Sequence, residues 1–493
     1  MNARKIFQIT FFLLLGALTF IKLIGSVDPD LFWHLKNGEV LLKQGTFPVK
    51  DDYSFTARGK PLIANAWLSE VISYVIFNIT GYAGLAVLHT LLLTVCYYLL
   101  FSTLSKTPVP FAWKFILTTL WFLNCLVFIA PRTQNIGLLL FIICLYLALK
   151  WEAGDKPRPF IKGMGNCLKL FNQEGRGKKT IWSIALIIPL WNNLHSGFAM
   201  GLMILALVVV GEIIENKKIT LHTLTPLLVA ILLSGVHPSG YGSLFHPFWM
   251  IFLSPEAKNI IKEWNPINIS MTEISIPYFL LILSIMLIGL QNLKSRFPWL
   301  ILILLLMLLS LRMQRMIPYF AAAGVIVLSK QISRLDLGKT SRFIRYGFTI
   351  FVLIFLYSYF FPNVFNVFPW DPENFDNAYP SAGVKFIKEK LPGKNIFSTY
   401  DWGGYLIFHL YPGNRIAFDG RSDLYYDLLD EYAHIIQSAP DTDKILARLN
   451  VDAVIVPTDL RLAFNLYNNP GWRMVFHKPK ESIFVRKFSL EFH

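Results

Sequence analysis

The feature that most limits what this chain can fold into is a succession of apolar runs, many of them close to 20 residues long. Wound as a helix, such a run crosses roughly 30 Å of hydrocarbon. The runs lie at about 6–27, 82–104, 111–130, 135–151, 181–194, 197–214, 222–236, 276–291, 298–311, 316–329 and 344–361. Composition agrees: 54% of the 493 residues are hydrophobic and only 16% are charged, where a soluble chain carries about a quarter. The pattern predicts a polytopic α-helical membrane protein with about 11 transmembrane helices over residues 1–368.

Charge sets the expected orientation. The net charge of +15 comes largely from basic connections at 156–179, 217–218, 294–296 and 330–345. If every run spans, all of these fall on the side of Arg4 and Lys5, which the positive-inside rule makes cytoplasmic. An odd number of spans then puts the C-terminus outside. The stretch 181–214 is broken by Asn192, Asn193, His195 and Gly197. It reads as two helices with a tight outer turn; one long kinked helix would invert everything after it. The first run, behind Arg4 and Lys5, reads as an uncleaved helix rather than a secretory signal. No basic stripe with interleaved aromatics lies on a soluble module, which argues against nucleic-acid binding. Cys96, Cys125, Cys144 and Cys167 fall in apolar runs or a basic loop. The tail has no cysteine, so neither a disulfide framework nor a cysteine-based zinc site is available there.

Two expected outer loops, 28–82 and 237–275, exceed the length of simple turns. Within the first, 67–79 (WLSEVISYVIFNI) has the amphipathic character of an interfacial helix. From about 369 the composition turns soluble. Apolar β-rich stretches at 395–399, 415–418, 452–456 and 482–485 alternate with helical ones at 381–391, 424–438 and 443–449. That alternation predicts a C-terminal extracytoplasmic α/β domain over 369–493.

The strongest local feature is DPDLFWHLKNG at 28–38. Asp28 and Asp30 flank a proline, and His34 follows Asp30 by one helical turn. Two carboxylates at a membrane surface can hold a divalent cation, or one can act as general base toward an acceptor hydroxyl. The same residues also make a good helix start, with Asp28 as N-cap, Pro29 first and Asp30 in the first turn. Asp51, Asp52 and Glu70 add acids to this loop. As plain structure, Asp51 and Asp52 would cap a turn and Glu70 would face water.

The order of one N-terminal helix, an acid-bearing first outer loop, a many-span body and an outer α/β domain resembles the GT-C superfamily of glycosyltransferases. These membrane enzymes use polyprenyl-phosphate-linked sugars. The run D-x-D-x-x-W-H-L, then G-x-x-P-x-x-D-x-(Y/F)-S-(Y/F)-T and W-L-S-E, is similar to the first-loop pattern of bacterial members. The resemblance implies a catalytic or metal-binding role for Asp28 or Asp30, with Glu70 a further candidate acid. It also gives Glu263, in the second loop, the place of the later acid that many members supply. A metal set of Asp30, His34 and Glu263 would take magnesium or manganese more readily than zinc. Arg132, Arg312 and Arg315 sit at expected outer helix ends, where guanidinium forks suit phosphate oxygens; snorkelling anchorage is the plainer account. His195 and His237 lie on that face too, as phosphate or metal partners or as capping residues. In the tail, Tyr400, Asp401 and Trp402 of YDWGGY are similar to the acceptor-recognising W-W-D-Y-G-Y segment of oligosaccharyltransferase catalytic subunits. Here Tyr400 replaces the first tryptophan and a glycine is added, so acceptor specificity does not transfer. Alternatively Gly403 and Gly404 let a helix start close to a strand.

The expected activity is transfer of a sugar from a polyprenyl-phosphate donor to a protein, lipid or glycan acceptor at the outer face of the bacterial inner membrane, with inversion. The rivals are a flippase for a lipid-linked glycan and a non-catalytic assembly factor. A carrier needs ionisable groups near the bilayer midplane, whereas Lys22, Lys114 and Glu212 lie toward span ends.

Overall fold

The computed structural model describes residues 3–26, 28–153, 178–252, 262–289, 297–332, 334, 340–364 and 379–487. The basic connections at 156–179 and 294–296, part of that at 330–345, part of the second long loop, and Cys167 lie outside these residues or largely so. The chain forms two compact units, each built from three stretches. One comprises Met1–Ile24, Ala86–Pro247 and Glu263–Val367; the other comprises Gly25–Leu85, Phe248–Lys262 and Phe368–His493. The first loop thus folds into one unit with the C-terminal segment.

The first unit is helical. Its elements are α1 (Ala3–Ile24), the distal arm of α3 (Trp67–Leu104), α4 (Phe111–Cys125), α5 (Gln134–Glu152), α6 (Lys178–Leu194), α7 (Phe198–Asn216) and α8 (Leu221–Ser234). There follow the start of α9 (Gly242–Phe252), then α10 (Thr272–Ser284), α11 (Trp299–Arg312), α12 (Ile317–Ile332) and α13 (Thr340–Val364). Among the described residues, each of the apolar runs falls largely on a helix. Among the described residues, six helices are long and apolar enough to cross a membrane: Ala3–Ile24, Trp67–Leu104, Phe111–Phe128, Gln134–Glu152, Phe198–Glu215 and Phe343–Phe360. Others are shorter: α8 and α11 have 14 residues each, or about 21 Å of rise, less than a hydrocarbon core. The stretch 181–214 is two helices, α6 and α7, separated by a turn at His195–Gly197. At the centre lies α12, buried almost throughout. Its run Ala321-Ala322-Ala323-Gly324 lets neighbouring helices approach; a Cβ on Gly324 would sit 2.8 Å from Ile285 Cδ1.

The second unit holds α2 (Leu31–Gln44), the proximal arm of α3 and a five-stranded sheet. Helix α3 breaks at Gly81, whose φ of 65° and ψ of −160° are not helical. The expected amphipathic helix therefore ends where the next apolar run begins, because glycine alone tolerates that backbone. The strands are β1 (Asn395–Ser398), β2 (Arg415–Ile416), β3 (Ala453–Pro457), β4 (Trp472–His477) and β5 (Glu481–Arg486). Their order is β2-β1-β3-β5-β4, with β1 parallel to β2 and β3, and β5 antiparallel to β3 and β4. The helices are α14 (Ser381–Lys390), α15 (Tyr400–Leu410), α16 (Leu429–Gln437), α17 (Thr442–Arg448) and α18 (Arg461–Tyr467). One helix and one strand escape sequence reading: α18, and edge strand β4, which is mostly exposed. Helix α15 starts at Tyr400, just after β1, as the alternative reading of Gly403 and Gly404 expects.

The sheet edge at β2 is not left open. Ser54 of the first loop bridges Ile416 in parallel, Phe55 N donates to Ile416 O at 3.1 Å, and Ile416 N donates to Tyr53 O at 3.3 Å. The loop thereby satisfies backbone groups that an edge strand exposes.

Candidate functional site

In the sheet-bearing unit, the DPD segment precedes α2 rather than opening it. Asp30 occupies the N-cap position without a side-chain cap bond. Asp28 is 2% exposed; its Oδ1 accepts from Asp30 N at 2.8 Å, and its carbonyl accepts from Tyr379 Oη at 2.9 Å. Asp30 is partly exposed, and its Oδ1 accepts from Trp33 Nε1 at 3.0 Å. The expected cap by Asp28 is thus a local turn onto Asp30, one step ahead of the helix. The two aspartates differ in what is left to them: Asp28 is enclosed, and Asp30 is oriented at the surface.

Glycines crowd this place. A Cβ on Gly420 would fall 1.8 Å from Asp30 Oδ1 and 2.9 Å from Trp33 Nε1. One on Gly404 would fall 2.7 Å from Pro29 O, and one on Gly403 would fall 2.2 Å from Phe418 O. The paired glycines of YDWGGY therefore let α15 touch both the start of α2 and the chain leaving β2. Tyr400 and Trp402 are buried, Asp401 is exposed, and Tyr400 N donates to Tyr432 Oη at 2.7 Å. Two of the three residues placed at an acceptor site by resemblance thus pack inward. Burial first, and then the nearby carboxylates of Asp28, Asp30 and Asp401, push the Tyr379 phenol far up, so it stays a donor.

Of the other first-loop acids, Asp51 caps a turn, as its plain structural reading expects, and also takes a distant cation. Asp51 accepts from Arg421 Nη1 at 2.6 Å and from Ser54 N at 3.0 Å. Arg421 also donates to both oxygens of Asp419, through Nε at 2.7 Å and Nη2 at 2.6 Å, and lies 5.0 Å from the Tyr53 ring centre. Asp52 accepts two bonds from Arg415 Nη2 at 3.0 Å and one from Tyr411 Oη at 3.1 Å. Burial raises the Asp52 carboxyl, but Arg415 and Tyr411 outweigh it and hold it below the usual range. Both aspartates therefore fasten the loop to the sheet. Glu70 does not face water: it is 6% exposed, accepting from His34 Nδ1 at 2.7 Å and Asn37 Nδ2 at 3.0 Å.

In the helical unit, Arg132 donates through Nη1 to Glu263. Arg315 lies 5.3 Å from the ring centre of Trp264. Burial pushes the Glu263 carboxyl up, yet Arg132 and Arg315 prevail and leave it lowered. Arg312 is exposed on the last turn of α11. His195 accepts from Gly197 N at 2.8 Å, and His237 likewise accepts from Ser239 N at 3.0 Å. Each histidine thus caps its own turn. A Cβ on Gly137 would lie 2.9 Å from His195 Nδ1 and 3.3 Å from Tyr319 Oη, so His195 packs at the start of α5.

Of the residues named for a metal, Asp30 and His34 belong to the sheet-bearing unit and Glu263 to the helical one. His34 is held on Glu70 and Glu263 on Arg132. Among the described residues no group of three or more His, Cys, Asp or Glu side chains is arranged to hold an ion. With His34 on Glu70 and Glu263 on Arg132, this donor set does not fit the cation that the resemblance implies.

No family model and no curated protein matches the sequence. Solved structures do match over its whole length. The archaeal oligosaccharyltransferase AglB from Archaeoglobus fulgidus, in complex with an inhibitory peptide and a dolichol-phosphate, superposes with a TM-score of 0.62 at 10% identity, covering 100% of this chain and 76% of that one. ArnT from Cupriavidus metallidurans in the apo state gives 0.53 at 13% identity, covering 98% of both chains. The fold is that of the GT-C glycosyltransferases. A mycobacterial arabinofuranosyltransferase, AftD, shares it with a TM-score of 0.52 at 10% identity, with 98% of this chain matching 42% of that one. In the GT-C fold seen here, the signals that sequence reading missed are Trp33, Tyr379 and Gly420. The indole at i+3 from Asp30 was visible in DPDLFW; the other two come from distant chain segments.

Proposed function

We propose that this protein is a membrane glycosyltransferase that moves a sugar from a polyprenyl-phosphate-linked donor to a protein, lipid or glycan acceptor, with Asp30 as the general base. The observation that carries this reading is Asp30 itself. In a chain of GT-C fold, it is the partly exposed member of the DPD pair, with one oxygen fixed by the Trp33 indole. Asp28, enclosed and engaged with the Asp30 amide, serves as its support.

In this reaction Asp30 takes the proton of an acceptor hydroxyl as that oxygen attacks the anomeric carbon. The carbon–oxygen bond to the donor phosphate breaks, polyprenyl phosphate leaves with the electron pair, and the anomeric configuration inverts. Within the helical unit, Arg132 and Arg315 are proposed as anion-binding side chains, because charge-assisted guanidinium bonds suit phosphate oxygens. Glu263, half-buried against Arg132, holds that guanidinium in place. Arg312, exposed and three positions before Arg315, is assigned a weaker role toward such a charge. The protein is placed in the bacterial inner membrane as a multi-pass protein, with its N-terminus cytoplasmic and its C-terminal segment outside.

The test is sugar transfer from a radiolabelled polyprenyl-phosphate-sugar pool in membranes with matched amounts of protein. Asp30→Asn is expected to lower transfer by about 10²–10⁴-fold, the usual worth of a general base. Asp28→Asn keeps an oxygen acceptor for the Asp30 amide and is expected to lose less than tenfold. Wild-type transfer in Asp30→Asn would sink the assignment. No transfer by the wild type, with lipid-linked sugar accumulating on one leaflet after deletion, would favour a flippase.

A further inference from the structure

Asp419, Gly420 and Arg421 lie between β2 and α16, where the Asp419 and Arg421 side chains are buried. The Arg421 guanidinium is 4% exposed and spans two carboxylates that are 0% exposed, Asp51 and Asp419. Asp419 also accepts from Arg421 N at 2.9 Å and from the Tyr425 hydroxyl. This ionic cluster leaves the turn little freedom, since moving any member strands a buried charge. Between the two charged residues stands Gly420, pressed against the carboxylate of Asp30.

We propose that the Asp419–Gly420–Arg421 turn is a positioning element for Asp30: Gly420 is the wall that keeps the carboxylate on the Trp33 indole, and Arg421 is the clamp that keeps the wall in place. The role rests on the reading of Asp30 as the base. It explains why glycine stands at 420, where φ is not in the left-handed region and a turn alone does not require it. It also gives the DGR segment at 419–421 a task at the site. The atom nearest an added methyl is the end of a side chain, not backbone. Alanine at 420 is therefore accommodated by displacing the Asp30 carboxylate and the edge of the Trp33 indole, both side chains, and the damage falls on orientation rather than on the fold. A reacting group misplaced by about 1 Å costs on the order of 10²-fold in rate.

The experiment uses the full chain in nanodiscs, labelled with ¹⁵N only at tryptophan. Gly420→Ala is expected to lower kcat about 100-fold while leaving the donor KM and the unfolding temperature near wild type. The Trp33 indole resonance, identified by its loss in Trp33→Phe, should move in both Asp30→Asn and Gly420→Ala. Wild-type kcat together with an unmoved resonance in Gly420→Ala overturns the proposal. Wild-type transfer by Asp30→Asn overturns the assignment of the base instead. The resonance then decides alone, and an unmoved signal in Gly420→Ala still overturns the positioning role. If Gly420→Ala does not fold, Arg421→Lys takes its place. That variant keeps the charge but not the fork, so the same indole shift is expected with about a tenfold loss of kcat. Wild-type kcat and an unmoved resonance there would likewise overturn it.

Discussion

Each of the two units keeps an arginine–carboxylate contact at a point of interest, and the two contacts are built on different terms. Arg132 and Glu263 in the helical unit keep 23% and 29% of their side-chain surface. Arg421 and Asp51 in the sheet-bearing unit keep 4% and 0%. The first can exchange partners with an incoming anion at modest cost, as partly hydrated ion pairs do. The second cannot be opened without stranding charge in the interior. An arginine meant for a ligand is expected to look like Arg132, and one meant for architecture like Arg421.

The largest effect that separates them is on stability. Arg421→Ala leaves Asp51 and Asp419 buried without a cation and is expected to cost about 3–5 kcal/mol. Arg132→Ala is expected to cost no more than about 1 kcal/mol. Thermal unfolding of the two purified variants checks this, and equal losses would erase the distinction. Next comes packing in the sheet-bearing unit. A methyl on Gly403 meets Phe418 O at 2.2 Å and Asp419 Cα at 2.6 Å, both backbone atoms that cannot swing away. Gly403→Ala should therefore destabilise by about 1–3 kcal/mol and, unlike Gly420→Ala, lower the unfolding temperature along with the activity. The smallest effect is a pH dependence in the helical unit. The folded-state carboxyl of Glu263 is lowered, so its contribution is present above the ordinary glutamate range and is lost as pH falls through the lower folded value. Wild type should exceed Glu263→Gln in unfolding temperature at neutral pH, and the gap should close only in acid. A gap that persists there would show that the pair does not supply it.

The helical unit was the more legible in the sequence. Apolar runs near 20 residues long fix where helices form, because an unpaired backbone cannot remain in hydrocarbon. The break between Trp191 and Phe198 and the amphipathic arm after Trp67 were equally local. In the sheet-bearing unit, four strands carried enough β-branched and aromatic residues to be seen. Helix α15 was visible only as the alternative reading of YDWGGY, since Gly403 and Gly404 oppose helix formation in isolation; in the fold a strand exit and α2 press against them. The acids were legible as a group but not in their division of labour. Asp51, Asp52 and Glu70 are as acidic on paper as Asp30, yet each is engaged by a partner: Arg421, Arg415 and His34. Those first two partners are 370 and 363 positions away, beyond anything that local spacing can report.

By itself, then, the sequence determined the succession of apolar helices, four of the five strands of the C-terminal segment and the acid-rich loop after α1, all of which follow from hydropathy and periodicity within about 20 residues. Only the tertiary structure decided that this loop closes the β2 edge, that Asp28 is enclosed while Asp30 stays at the surface, and that Gly420 stands against the Asp30 carboxylate. Those outcomes depend on burial and on distances between remote segments, and such quantities exist only once the chain has folded.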